Sequence, residues 1–142
     1  MQLVVDVGNT ETVVGLASSP TDIVNHWRVS SSVPRTEDEM TALIRAFLAG
    51  DGVDESLITQ GVVGSVVPSL NHVWMKTLGK IVSGDVLAVG PGSDLPIRLD
   101  VEEPMSVGAD RVVNTLAAME LYHRDTIAVD LGTATTFDCI TG

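Results

Sequence analysis

The chain has 142 residues, 44% of them apolar, and its 19 acidic side chains against 8 basic ones give a formal net charge of −11. That length and apolar content suit one domain, or one domain and the start of another, and exclude general disorder. The scattered arginines and lysines form no basic face for a phosphate backbone, no apolar run approaches the ~18 residues of a membrane span, and the amino terminus lacks the features of a secretory leader, so a cytoplasmic protein that binds neither nucleic acid nor membrane is expected.

In chain order, residues 2–7 (QLVVDV) read as a short buried strand, and Gly8-Asn9 as a turn made by two residues that tolerate positive φ. Residues 12–17 and 23–29 continue the pattern, with Ser18-Ser19-Pro20 between them, which predicts a three-stranded antiparallel meander. Thr36 and Glu39 have the spacing of a capping box, and Met40, Leu43, Ile44, Phe47 and Leu48 follow at helical spacing. Gly50 is expected to end that helix. Residues 61–67 predict a buried strand, 69–82 a helix and 86–89 another strand. Residues 90–107, rich in proline and glycine, form a long loop of the kind that carries function. A helix over 109–123 and strands over 126–131 and 135–140 complete the order βββαβαβ, loop, α, ββ.

Residues 5–14 (VDVGNTETVV) and 129–138 (VDLGTATTFD) echo each other at an offset of 124 positions. A period that long points to domain duplication rather than a solenoid, whose repeats run ~20–50 residues. It puts a first domain over residues 1–124 and the opening hairpin of a second over 125–142.

The two Asp-x-Gly turns suit phosphate, because glycine lets the backbone approach and turn N–H groups can point at anionic oxygens. Thr10, Thr12, Thr133 and Thr135 are candidate hydroxyl donors. Asp6 would repel phosphate without a cation, and a hydrated Mg²⁺ is the natural complement. The structural alternative is that Asp6 and Asp130 only stabilise tight hairpins. No Walker-type phosphate loop is present. Gly108-Ala109-Asp110-Arg111 opens the last helix, where Asp110 is either a capping residue or a general base, with Arg111 near a substrate anion. His26, His72 and His123 lack metal-site spacing, Trp27 and Trp74 read as core or interface anchors, and Cys139 has no basic neighbour to activate it.

Taken together, Asp6-Val7-Gly8-Asn9-Thr10, Gly108-Ala109-Asp110-Arg111 and Asp130-Leu131-Gly132-Thr133-Ala134-Thr135-Thr136-Phe137-Asp138 resemble type III pantothenate kinase. The stretches His26-Trp27-Arg28, Arg35-Thr36, Ser65-Val66-Val67-Pro68 and Val89-Gly90-Pro91-Gly92 add to the resemblance, which runs through the whole chain in order. The resemblance implies an α/β fold of the ribonuclease-H-like, actin-like ATPase kind with a mixed sheet, and ATP-dependent phosphorylation of pantothenate in coenzyme A biosynthesis. It implies ATP binding by Asp6, Val7, Gly8, Asn9, Thr10, Glu11, Thr12 and Val13 in the first phosphate loop and by Thr133 in the second. It further implies a pantothenate site at Gly108, Ala109, Asp110 and Arg111, with Asp110 as catalytic base. Asp6 would approach Mg²⁺ through water, and Asp130 would hold a monovalent cation, K⁺ or NH₄⁺. A homodimer is implied by the family alone.

The chain departs from the family where a tyrosine usually follows the Leu-Pro-Ile segment; here Leu95-Pro96-Ile97 is followed by Arg98 and Leu99. The family's adenosine motif lies beyond Gly142, so the 142-residue chain reads as a fragment with negligible turnover by itself. Two other functions compete: a non-catalytic accessory relative of the same fold, and a different sugar or acetate kinase. The three aspartates Asp6, Asp110 and Asp130 favour the enzyme over the first, and the Gly-Ala-Asp-Arg spacing disfavours the second.

Overall fold

A computed structural model describes residues 1–132 and 134–141. The chain divides into two compact units, Met1–Ala88 and Val89–Gly142.

The first unit is built on β1 (Gln2–Val7), β2 (Glu11–Ser19) and β3 (Asp22–Ser30), the antiparallel meander the sequence predicts. After helix α1 (Glu37–Gly50), strand β4 (Gln60–Ser65) returns parallel to β1, and helix α2 (Pro68–Ile81) leads to β5 (Val86–Val89). The five strands lie in the order β3-β2-β1-β4-β5. Alternation along β1 puts Leu3, Val5 and Val7 on one face, opposite Leu16, Val14 and Thr12 of β2. On that face Met40, Ile44 and Leu48 of α1 and Trp74, Leu78 and Ile81 of α2 close a single core. Gly61 lets α2 sit close to β4, because a Cβ there would stand 3.0 Å from Leu78 Cδ1.

Polar contacts tie the layers at their ends. The Thr41 and Thr77 hydroxyls, from α1 and α2, both donate to the Glu37 carbonyl, at 2.6 and 3.4 Å. Trp27 on β3 stacks on Phe47 of α1 with ring centroids 6.1 Å apart, and its Nε1–H donates to Asp51 Oδ2 at 2.7 Å. The capping box forms as expected: the Glu39 N–H donates to Thr36 Oγ1, and the Thr36 N–H donates to Glu39 Oε2.

The far end of α1 differs from expectation. Gly50 is the last helical residue and Asp51 the cap, while Gly52 takes the left-handed conformation at φ +69°. Its N–H donates to the Ala49 carbonyl, and the Val53 N–H to that of Leu48, the paired bonds of a Schellman motif. The left-handed glycine is therefore two residues later than Gly50. A short 3-10 turn at Glu55–Leu57, which periodicity does not reveal, follows it.

The second unit contains helix α3 (Ala109–Tyr122) and the antiparallel hairpin of β6 (Thr126–Leu131) and β7 (Thr135–Ile140). The predicted loop over 90–107 is irregular apart from a 3-10 turn at Pro104–Ser106. Strand alternation gives the hairpin one face with the buried Asp138 and Ile140, and another where Ile127, Val129, Leu131 and Phe137 are exposed. His123 ends α3 in the left-handed region, at φ 47°. No helix of the described residues is long and apolar enough to cross a membrane.

Two glycines two residues apart should respond oppositely to alanine. Gly52→Ala should destabilise the chain by about 1 kcal/mol, because a Cβ disfavours φ > 0. Gly50→Ala should stabilise it by about 0.5 kcal/mol, since it is helical and nothing lies within 4 Å of a Cβ there. Urea denaturation of both variants checks the signs. Acid sensitivity follows from two caps. The Thr36 backbone N–H, and then its hydroxyl, holds the Glu39 carboxyl below its ordinary value of 4.5. Ser56, through its hydroxyl and then its backbone N–H, holds Asp54 below 3.8. A depressed folded-state value means stability that is fully present above the ordinary value and lost as pH falls through the lowered one. Glu39→Gln should therefore flatten the acid limb of the stability profile, as pH-dependent urea melts would record.

Candidate functional site

The first Asp-x-Gly turn closes β1 onto β2. The Gly8 N–H donates to the Glu11 carbonyl at 3.1 Å, and a Cβ on Gly8 would stand 2.8 Å from that oxygen. Neither Gly8 nor Asn9 has positive φ, contrary to the expectation for this dipeptide. Glycine is required here by close approach, not by handedness. Asn9, Thr10 and Glu11 are exposed at the tip, and the Ser31 N–H donates to the Thr10 carbonyl at 3.0 Å. Val7 is buried in the core and Val13 is half-buried opposite Asp6. Thr12 is turned inward, 1% exposed, with its hydroxyl 2.9 Å from Ser31 Oγ. Its hydroxyl is thus engaged within the unit and is not one of the donors the turn offers. Glu11 pairs with Arg28 of β3 at 3.0 Å.

Asp6 occupies the last-but-one position of the central strand and is exposed. Because Val5 and Val7 point into the helical core, alternation turns Asp6 to the other face of the sheet. Its register neighbours are Val13 on β2 and Gly64 on β4.

In the second unit the helix α3 begins at Ala109, with Gly108 as its N-cap. Gly108 has no side chain to cap with, and its carbonyl accepts from the Val112 N–H at 3.2 Å. Ala109 is buried and anchors the turn. Asp110, half-buried in the first turn, accepts the Arg111 backbone N–H on Oδ1 at 2.8 Å. That bond satisfies one of the open N–H groups at a helix start, part of what a capping side chain does. Oδ2 accepts no hydrogen bond among the described residues.

The Arg111 side chain runs to β7, where Nε–H donates to Asp138 Oδ1 at 2.6 Å and Nη2 lies 2.5 Å from the same oxygen. Asp138 is 7% exposed. Sequence reasoning quoted Asp138 only as the end of a motif and gave it no role. The available signal was strand alternation: Asp130 pairs with Thr136 and Ala128 with Asp138, which puts both aspartates on one face of the hairpin. Asp130 is half-buried at the end of β6. A Cβ on the neighbouring Gly132 would lie 3.6 Å from Asp130 Oδ1 and 3.7 Å from the Ala134 carbonyl oxygen. Two oxygens thus overlook a position without a side chain. Thr133 lies outside the described residues. Among the described residues no three His, Cys, Asp or Glu side chains converge as metal ligands, and Cys139 is free and exposed.

Comparison with known proteins places this arrangement in a family. The sequence profile of type III pantothenate kinase matches residues 2–142. Type III pantothenate kinases from Moorella thermoacetica, Streptomyces avermitilis and Myxococcus xanthus are 42%, 41% and 39% identical to it, each over 99% of this chain and 54–55% of the relative. The chain spans about half the length of the curated relatives it matches. Among solved structures, a ROK family glucokinase from Streptomyces griseus in complex with glucose and AMPPNP matches with a TM-score of 0.54 at 18% identity, over 99% of this chain and 44% of the glucokinase. At that identity the likeness concerns the fold, which is the actin-like ATPase α/β fold that the family resemblance implies. With the profile matching all but the first residue, this chain belongs to the type III pantothenate kinase family.

Proposed function

We propose that the protein phosphorylates pantothenate to 4′-phosphopantothenate with ATP as the donor, the first step of coenzyme A biosynthesis. The observation that carries this reading is Asp110, fixed through Oδ1 at the first turn of α3 with Oδ2 left to act, inside a Gly-Ala-Asp-Arg segment that the family profile spans. In the reaction the pantothenate hydroxyl oxygen forms a bond to the γ-phosphorus, the bond to the β,γ-bridging oxygen breaks, and ADP departs with that electron pair. Asp110 takes the hydroxyl proton as general base. Gly108, Ala109 and Arg111 line the pantothenate site beside it.

The loop from Asp6 to Val13 is assigned to ATP together with Thr133, with Val7 and Thr12 supporting the loop from the core side. Asp6 suits a hydrated Mg²⁺: it is an exposed carboxylate beside the Gly8 turn, able to hold such an ion through water. The ion's contribution is to neutralise phosphate charge. Asp130 suits a monovalent cation, since Asp130 Oδ1 and the Ala134 carbonyl are hard oxygen donors facing the open flank of Gly132. In this reading residues 1–124 are a first domain and 125–142 the start of a second. A cytoplasmic homodimer belongs to the same reading.

The deciding experiment is an ATP-dependent pantothenate phosphorylation assay, with and without K⁺, on a version of the protein carrying the carboxyl-terminal half its relatives have. Turnover supports the reading; a protein that folds and binds nucleotide without turnover would be the accessory relative instead. The 142-residue chain alone should show negligible turnover in the same assay. Asp110→Asn in the longer version should lower kcat by about 10²–10⁴-fold while leaving ATP affinity little changed. An equal loss of ATP affinity would assign Asp110 another task. Asp130→Ala should abolish K⁺ activation and weaken ATP binding with the fold intact, measured as the K⁺ dependence of initial rates and by thermal melting.

A further inference from the structure

We infer that Asp138 is a positioning residue for pantothenate, acting through Arg111, although it stands on the hairpin assigned to ATP. The inference rests on the kinase reading above. Its basis is the geometry within the second unit. Nε and Nη2 of Arg111 converge on Oδ1 of Asp138, and Nη2 also reaches the Phe137 carbonyl at 3.5 Å. One edge of the guanidinium is thereby committed to β7. Nη1 donates to nothing among the described residues, and the Arg111 side chain remains 38% exposed while that of Asp138 is 9% exposed. The pair is therefore lopsided: a buried carboxylate holds a cation whose other edge stays open. Neutralising Asp138 uses one edge of the guanidinium and leaves the other available to a second anion.

Three carboxylates surround this cation in sequence and space. Asp110 is joined to the Arg111 backbone, Asp138 to its side chain, and Asp130 is the diagonal neighbour of Asp138 on the same hairpin face, a separation of about 7–8 Å. Without Asp138 the guanidinium, on a stem with several rotatable bonds, would be drawn to Asp110 or Asp130 instead. Pairing with Asp110 would block the base, and pairing with Asp130 would compete with a cation there. Asp138 thus keeps Arg111 off both and directs its open edge to the acceptor beside Asp110. The same contact makes the start of α3 and strand β7 a single piece.

The test separates two roles for Asp138. If it only braces the hairpin, its loss should disturb ATP and K⁺, which the hairpin is assigned to bind. If it positions Arg111, its loss should disturb pantothenate. In the longer, active version of the protein, Asp138→Asn keeps the shape and removes the charge. The expected result is a rise of about tenfold or more in KM for pantothenate, with KM for ATP and the K⁺ activation constant within about twofold of wild type. Adding Arg111→Gln to Asp138→Asn should raise KM for pantothenate little further, because both changes disable one device. Should the single variant fail to fold, Asp138→Glu, which keeps the charge but shifts the guanidinium by one methylene, is measured on the same two KM values, with the rise again expected for pantothenate alone. A rise in KM for ATP equal to that for pantothenate, or no rise in either, overturns the inference. Wild-type turnover is measured first: its absence overturns the kinase reading itself, and the role of Asp138 with it, whereas turnover with the wrong pattern of KM shifts overturns only the role of Asp138.

Discussion

A strand paired on both edges and buried on one face has no freedom of register. β1 is such a strand, with β2 antiparallel on one side and β4 parallel on the other. A slip by one residue would exchange Leu3, Val5 and Val7 for Gln2, Val4 and Asp6 in the core and would bury a carboxylate under α1 and α2. The cost of that exchange pins Asp6 to the face of the sheet away from α1 and α2, one residue before the end of the strand, and with it the turn that begins at Gly8. The apolar alternation of six residues therefore fixes the position of a charged side chain that takes no part in the packing.

Much of this was legible beforehand. The meander, the three helices and the closing hairpin follow from periodicity and from turn residues, and the capping box of α1 follows from a hydroxyl and a carboxylate three residues apart. The boundaries of β1, β6 and β7 coincide with the expected ones, with the glycine turns at Gly8 and Gly132 setting the breaks. Glycines were harder to interpret. Gly50, Gly52 and Gly8 are the same residue in sequence, yet one is an ordinary helical residue, one is left-handed, and one is needed where a carbonyl oxygen leaves no room for a Cβ. Composition carries no record of which of these a glycine serves; only the partner atoms decide.

The candidate site divides along a similar line. Asp6, Asp110 and Asp130 stand in short motifs and could be named from them. The link between Arg111 and Asp138 could not, since 27 residues separate the two and their meeting depends on how α3 lies on the hairpin. Local motifs mark residues that meet substrate. Residues that hold those residues still are found through pairing register and packing, which a single sequence expresses only indirectly. Thr12 illustrates the reverse case: a hydroxyl within a motif that the fold turns inward to Ser31.

The placement of the aromatic residues has a spectroscopic consequence. Both tryptophans lie in the first unit, Trp74 inside the core and Trp27 stacked on Phe47 at the sheet edge, while the single tyrosine, Tyr122, is in the second. Indole emission therefore watches the five-stranded unit alone, with one fluorophore shielded from water and the other beside the Asp51 carboxylate. Phenolic emission belongs to the end of α3. The two halves of the chain carry separate optical labels supplied by the natural sequence.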